Sequence, residues 1–219
     1  MASNWKLQFV PAAELARCLD SIRTVKALLL EAFGEDSDIG RSETFKNAEG
    51  REVIECLLGF HSFEATSFLI LWNRGARGDQ RDWQAVGAVQ FVNTVLTVYV
   101  CSLAVKPSHR NRGIAGGLLK EVAVIAADQL GIRQATGTVE SRLTHLVRYY
   151  TRLGGEVDAS ASAGSAPPAL LRIHRTIKDE ELEKWRSGTH RQAWESASGT
   201  YGLSSCYQML WKTPIESCP

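Results

Sequence analysis

Between Val95 and Leu130 the chain passes without interruption from a β-branched run, through a basic loop containing glycine, into an amphipathic helix. Val95 to Val105 carries β-branched, aromatic and small residues and no helix breaker, which predicts a buried strand. Ile114, Leu118, Leu119, Val122, Ile125 and Ala126 recur at helical spacing, Gly131 can end that helix, and Arg133 to Glu140 returns as a strand. A strand, a helix and a second strand in this order read as part of one layered α/β domain. The loop between them, Lys106-Pro-Ser-His109-Arg110-Asn111-Arg112-Gly113, has the makings of an anion cradle. Glycine lets the backbone approach, a helix start leaves amides unpaired, and the helix dipole adds positive charge at the same point. Arg110 and Arg112 can neutralise phosphate charge, while amides around Asn111, Gly113, Ile114, Ala115 and Gly116 can point at the anion.

Neither a P-loop nor a dinucleotide fingerprint has this spacing. The run Arg110-Asn-Arg-Gly113-Ile-Ala115 instead fits Arg/Gln-x-x-Gly-x-Gly/Ala, and on it the chain resembles the GNAT superfamily of acyl-CoA-dependent N-acyltransferases, whose loop wraps the pyrophosphate of coenzyme A. A second element supports the resemblance: Tyr150-Thr-Arg-Leu-Gly154 is similar to the family's later Tyr-x-x-x-Gly helix. The chain departs from the pattern at Leu143, where the family often has asparagine, and at Gly155, where it usually has an aromatic.

The resemblance implies the GNAT fold, a central mixed and mostly antiparallel sheet, splayed at the cofactor site and flanked by helices. It implies acetyl-CoA as the acyl donor, oxyanion support from a backbone amide around Leu103, Ala104 and Val105, and Tyr150 as the acid that protonates the departing thiolate. Tyr150 otherwise reads as a core tyrosine on an apolar face with Leu146, Val147 and Leu153, and Tyr149 is the alternative donor. Many relatives place a glutamate on the strand before the loop, but this stretch offers only Tyr99, Cys101 and Ser102. Glu140 is the nearest acidic candidate for the base, Glu64 and His61 are more remote, and a water relay is the other option. Nothing nearby in sequence activates Cys101 as a nucleophile.

With 44% hydrophobic and 22% charged residues, the 219-residue chain is long enough for one α/β domain. Its formal charge of +1 gives no drive toward nucleic acid or an anionic membrane. No apolar stretch suggests a membrane span or a signal peptide, so a cytoplasmic protein, monomer or homodimer, is expected. Five scattered cysteines without Cys-x-x-Cys or paired histidines support neither a disulfide framework nor a metal site.

Along the rest of the chain, Trp5 to Val10 reads as a strand, Ala12 to Phe33 as a helix, Glu35 to Arg51 as a loop or short helix, and Val53 to Phe63 as helix or strand. Phe68 to Trp72 and Gln84 to Val92 read as strands. The small, proline-ended run 159–168 reads as a loop, Ala169 to Ile177 as extended, Lys178 to Trp194 as a helix, and Tyr207 to Thr213 resembles the family's closing strand. The expected organisation is one domain, 1–219, with a cofactor-binding core at about 84–157 and an acceptor-side insertion at about 159–205. The expected activity is direct transfer of acetyl to a primary amine, with a small-molecule acceptor ahead of a protein N-terminus or lysine. A binding module that kept the cradle without the chemistry is the rival.

Overall fold

The computed structural model describes residues 5–12, 19–34, 44–46, 52–54, 66–74, 83–158 and 170–187. In order they form β1 (Trp5–Val10), α1 (Leu19–Phe33), β2 (Thr44–Lys46), β3 (Glu52–Ile54), β4 (Thr66–Arg74), β5 (Trp83–Asn93) and β6 (Val98–Val105). A 3-10 turn at Pro107–His109 leads into α2 (Ile114–Leu130), followed by β7 (Gln134–Glu140), α3 (Thr144–Arg152), β8 (Glu156–Asp158), β9 (Leu170–Thr176) and α4 (Asp179–Arg186). Seven strands make one sheet in the order β1-β4-β5-β6-β7-β9-β8, and β2 pairs with β3 apart from it. All neighbours in the large sheet are antiparallel except β6 and β7. That single parallel pair needs a crossover, and α2 supplies it.

The central strands are apolar on both sides because both faces are covered. Leu69 and Leu71 of β4, with Val89 and Phe91 of β5, pack under Ile114, Leu118, Val122 and Ile125 of α2. Phe68 and Ile70 face the other way, onto Val25, Leu28 and Leu29 of α1. Gly87 lets α2 lie close to the sheet, since a Cβ there would stand 2.9 Å from Ile114 Cγ2. Gly131, at φ 66°, ends α2 as expected, its amide and that of Ile132 closing onto Ala127 and Ala126 carbonyls.

Two sequence expectations shift. The strand before the loop begins at Val98 rather than Val95, because Thr94 and Thr97 close a turn through the Thr97 amide and the Thr94 hydroxyl at 3.0 Å. Val95 and Leu96, read as buried strand, stand 94% and 76% exposed at its tip. The stretches 35–51 and 53–63 contain a β-pair, β2 with β3, and their remainder lies outside the described residues.

The strand beside β7 is β9, paired from Gln134↔Thr176 to Glu140↔Leu170. Within 159–205, therefore, residues 170–187 belong to the main layers: β9 is interior to the sheet, and Leu182 and Trp185 of α4 pack on Ala123, Val124 and Ala127 of α2. The loop 159–168 and the run Tyr207 to Thr213 lie outside the described residues. No described helix is long and apolar enough to cross a membrane.

Gly155 stands where α3 turns into β8. A Cβ there would lie 2.7 Å from Ile173 Cγ2 and 2.9 Å from the Tyr150 carbonyl oxygen, so this chain has no room for a side chain after Gly154. Gly155→Ala is expected to cost about 1–3 kcal/mol by overpacking, read as a lower urea midpoint with an unchanged slope. An unchanged midpoint would show that the contact relaxes freely.

Candidate active site

The parallel pair β6 and β7 holds for only three positions, Val98↔Ala135, Tyr99↔Thr136 and Val100↔Gly137. Beyond them, Cys101 to Val105 and Thr138 to Glu140 are no longer paired with each other, while β6 stays on β5 and β7 stays on β9. The sheet therefore forks. A register shift coincides with the fork: Gln90 faces Ser102 and Phe91 faces Val100, which leaves Cys101 as the extra residue of a bulge. The open edge of β6 presents backbone groups to which an extended ligand can add like a strand.

At the same end the loop reaches α2. Asn111 at φ 62° and Gly113 at φ 75° take left-handed backbone, and Gly113 precedes the helix with no side-chain cap and no acidic residue in the first turn. The first helical bond runs from the Gly117 amide to the Gly113 carbonyl at 2.9 Å, so the amides of Ile114, Ala115 and Gly116 have no carbonyl of their own helix to meet. Arg110, Asn111, Arg112 and Gly113 are exposed. Arg110 Nε donates to the Val105 carbonyl at 3.1 Å, tying the loop to the end of β6. His109 packs edge-on to Trp5, and burial, then Arg112 and Lys106, lower its pKa and favour the neutral ring.

Inside the fork lies a cavity walled by Val100, Cys101 and Leu103 of β6, Thr136 and Thr138 of β7, Leu119 of α2, Tyr150 of α3 and Leu153 just after it. Leu103 thus meets the cavity, whereas Ala104 packs into the α1-side core. Burial pushes the Tyr150 phenol up, keeping it protonated at neutral pH. Tyr149 is also raised, to about 12, first by burial and then by Tyr150. The two rings meet edge to face at 5.3 Å but serve different places. Tyr150 faces the cavity, while the Tyr149 hydroxyl lies 3.5 Å from where a Gly116 Cβ would be, beside the cradle helix.

Glu140 ends β7, and its carboxylate is engaged by Arg142 Nε rather than aimed into the cavity. Glu64 and His61 lie outside the described residues. Burial raises the Cys101 thiol to about 12, so the thiolate needed for a covalent route is scarce. Among the described residues no group of three or more His, Cys, Asp or Glu is placed to hold a metal ion.

Two features had no local signal in the sequence. Tyr99 Oη and Thr138 Oγ1 meet at 3.0 Å across the fork, and Arg175 of β9 reaches the cavity wall. Both placements depend on strand register.

The Acetyltransferase (GNAT) family model matches residues 30–155, more than half of the chain. The chain belongs to the GNAT acetyltransferase family. A solved acyl-CoA N-acyltransferase from Pseudomonas aeruginosa is 15% identical, over 78% of this chain and 99% of that one, with a TM-score of 0.53. A GNAT-family protein from Desulfovibrio desulfuricans is 16% identical, over 81% and 100%, with a TM-score of 0.52. At these identities the likeness concerns the GNAT fold alone. Among curated proteins, none matches the chain.

Proposed function

We propose that this GNAT protein transfers an acyl group, acetyl in the simplest case, from coenzyme A to a primary amine by direct attack in a ternary complex. The observation that carries this reading is the fork between β6 and β7, opening beside an uncapped helix start on one side and against the half-buried Tyr150 on the other. Acyl-CoA supplies a thioester already activated for transfer. The amides of Ile114, Ala115 and Gly116, with Arg110 and Arg112, hold its pyrophosphate, and the free edge of β6 around Leu103 to Val105 aligns the pantetheine arm. A backbone amide of that edge supports the developing oxyanion. The Tyr150 hydroxyl gives its proton to the departing sulfur, forming the thiol.

The amine must lose a proton. A lysine-like amine is neutral in only about one molecule in a thousand near pH 7. Burial raises both the Cys101 thiol and the Tyr150 phenol in the cavity wall, so each holds its proton at that pH. We assign deprotonation to water leading past Thr138 rather than to Glu140, whose carboxylate Arg142 occupies.

Thiol release from acetyl-CoA, followed across a panel of small amines and peptides with product masses recorded, tests the function. Amine-stimulated release with an acylated amine is expected. Coenzyme A affinity without stimulated release would make the protein a binding module. Preference for peptides would move the acceptor from a small molecule to a protein. We also place acceptor choice in the 159–168 loop and in the residues beyond α4. Shortening 159–168 is expected to change the amine profile and leave coenzyme A affinity nearly intact. The reverse result would refute that role.

A further inference from the structure

The fork opens onto both faces of the sheet. Ile173 and Arg175 of β9 face α3 and α4: Ile173 Cγ2 comes within 2.7 Å of a would-be Gly155 Cβ, and the Arg175 guanidinium lies 5.3 Å from the Trp185 ring centroid. Side chains alternate along a strand, so Arg172 and His174 face the opposite side, the one on which α1 lies. Tyr99 faces that side as well, because its neighbour Val100 packs against the core beneath α2. Thr138 joins it there, its hydroxyl meeting Tyr99 Oη at 3.0 Å in an exposed contact. On this face α1 packs over Phe68, Ile70, Ala88 and Ala104 of β4 to β6, and next to it β7, β9 and β8 carry polar side chains.

Register sets Thr136 beside His174, and Thr138 beside Arg172. His174 reaches toward β8, its Nε2 3.7 Å from Asp158 Oδ2, with the two side chains 43% and 32% exposed. Glu156, the cross-strand partner of His174, and Arg172, two residues along, are the other charged groups that β8 and β9 set beside it. With Nε2 against a carboxylate, Nδ1 is the ring nitrogen left to take a proton. His174 and Thr138 are diagonal neighbours across the β7 and β9 pair, whose Cβ atoms stand roughly 7–8 Å apart. An imidazole, a hydroxyl and one water fill that span. Tyr150 lies on the α2 side of the fork, so sulfur leaves toward that side and the amine arrives from the other, where Thr138 is exposed.

We propose that His174, oriented by Asp158, receives the proton that the substrate ammonium must lose. The inference rests on the acyltransferase reading above and gives its water relay an end point. The ammonium passes one proton through water at Thr138 to His174 Nδ1, and the lone pair so freed forms the C–N bond at the thioester carbon. As the C–S bond breaks, sulfur takes the Tyr150 proton, and the second proton shed by nitrogen restores that phenol. His174, open to solvent, then releases the first.

The test compares an alkylamine that the unmodified chain acylates with its fluorinated, weakly basic counterpart, which is already neutral at the assay pH. His174→Gln is expected to lower kcat/KM for the alkylamine by about tenfold to hundredfold, the lower part of the usual worth of acid–base catalysis because a water intervenes. For the fluorinated amine the loss is expected to stay below about threefold, with coenzyme A affinity unchanged in both cases. Asp158→Asn, which keeps the imidazole but not its carboxylate, is expected to show a smaller loss with the same dependence on amine basicity. Parental kcat/KM for the alkylamine in His174→Gln would overturn the proposal, and so would equal losses for the two amines, the mark of a structural role. If the unmodified chain acylates no amine, the acyltransferase reading fails together with it, a pattern distinct from an indifferent His174 variant of an active protein.

Discussion

Tyr150→Phe is expected to lower single-turnover acyl transfer by about 10²- to 10⁴-fold, the usual worth of general acid catalysis, with coenzyme A affinity nearly unchanged. The half-buried ring that lines the cavity with Leu153 and Leu119 stays, and only the protonated hydroxyl is lost. Single-turnover measurement excludes masking by product release. Tyr149→Phe is the control, because its hydroxyl lies by Gly116 at the cradle helix rather than in the cavity. It is expected to affect coenzyme A affinity more than the chemical step. If the Tyr149 variant loses transfer and the Tyr150 variant does not, the donor is Tyr149. If both transfer at the parent rate, no tyrosine acts as the acid.

Gly113→Val is expected to weaken coenzyme A binding by about tenfold or more. Gly113 sits at φ 75°, and a β-branched residue held there is strained by about 1–3 kcal/mol. Relief of that strain rotates the peptide groups that aim the Ile114 and Ala115 amides, while a tenfold loss needs only about 1.4 kcal/mol of lost contact. Gly113→Ala is expected to show a smaller loss in the same direction. Undiminished calorimetric affinity in Gly113→Val would remove this loop from the cofactor site.

The strand, loop and helix from β6 to α2 were legible in the residues because each is specified locally. Helical spacing from Ile114 to Ile125 describes one buried stripe, Gly131 ends the helix with a left-handed residue, and Gly113 starts it with another. The Tyr150 helix was legible for the same reason. The turn at Thr94 to Thr97 was not, since Val95 and Leu96 have strand-like side chains and two threonine hydroxyls override them. Short apolar runs without a period likewise left β3 undecided between helix and strand.

The candidate base shows how far residue type can carry the reading. Glu140 has the right chemistry and lies near the fork along the chain, but Arg142, two residues on, takes its carboxylate. Gly155, a departure from the family pattern on paper, follows from Ile173, which β9 brings within 2.7 Å of a would-be Cβ. Nothing local to α3 announces Ile173.

Local periodicity and backbone preference thus specified most of the elements and the uncapped helix start behind the basic loop, since amides at a helix start and a glycine's left-handed backbone are properties of adjacent residues. Register between distant strands decided the rest: the fork after Val100↔Gly137, the bulge at Cys101, and the presence of Arg175 in the cavity wall. These arise from packing β6, β7 and β9 side by side beneath α2, and such contacts, made between residues tens of positions apart, leave no periodic trace in the chain.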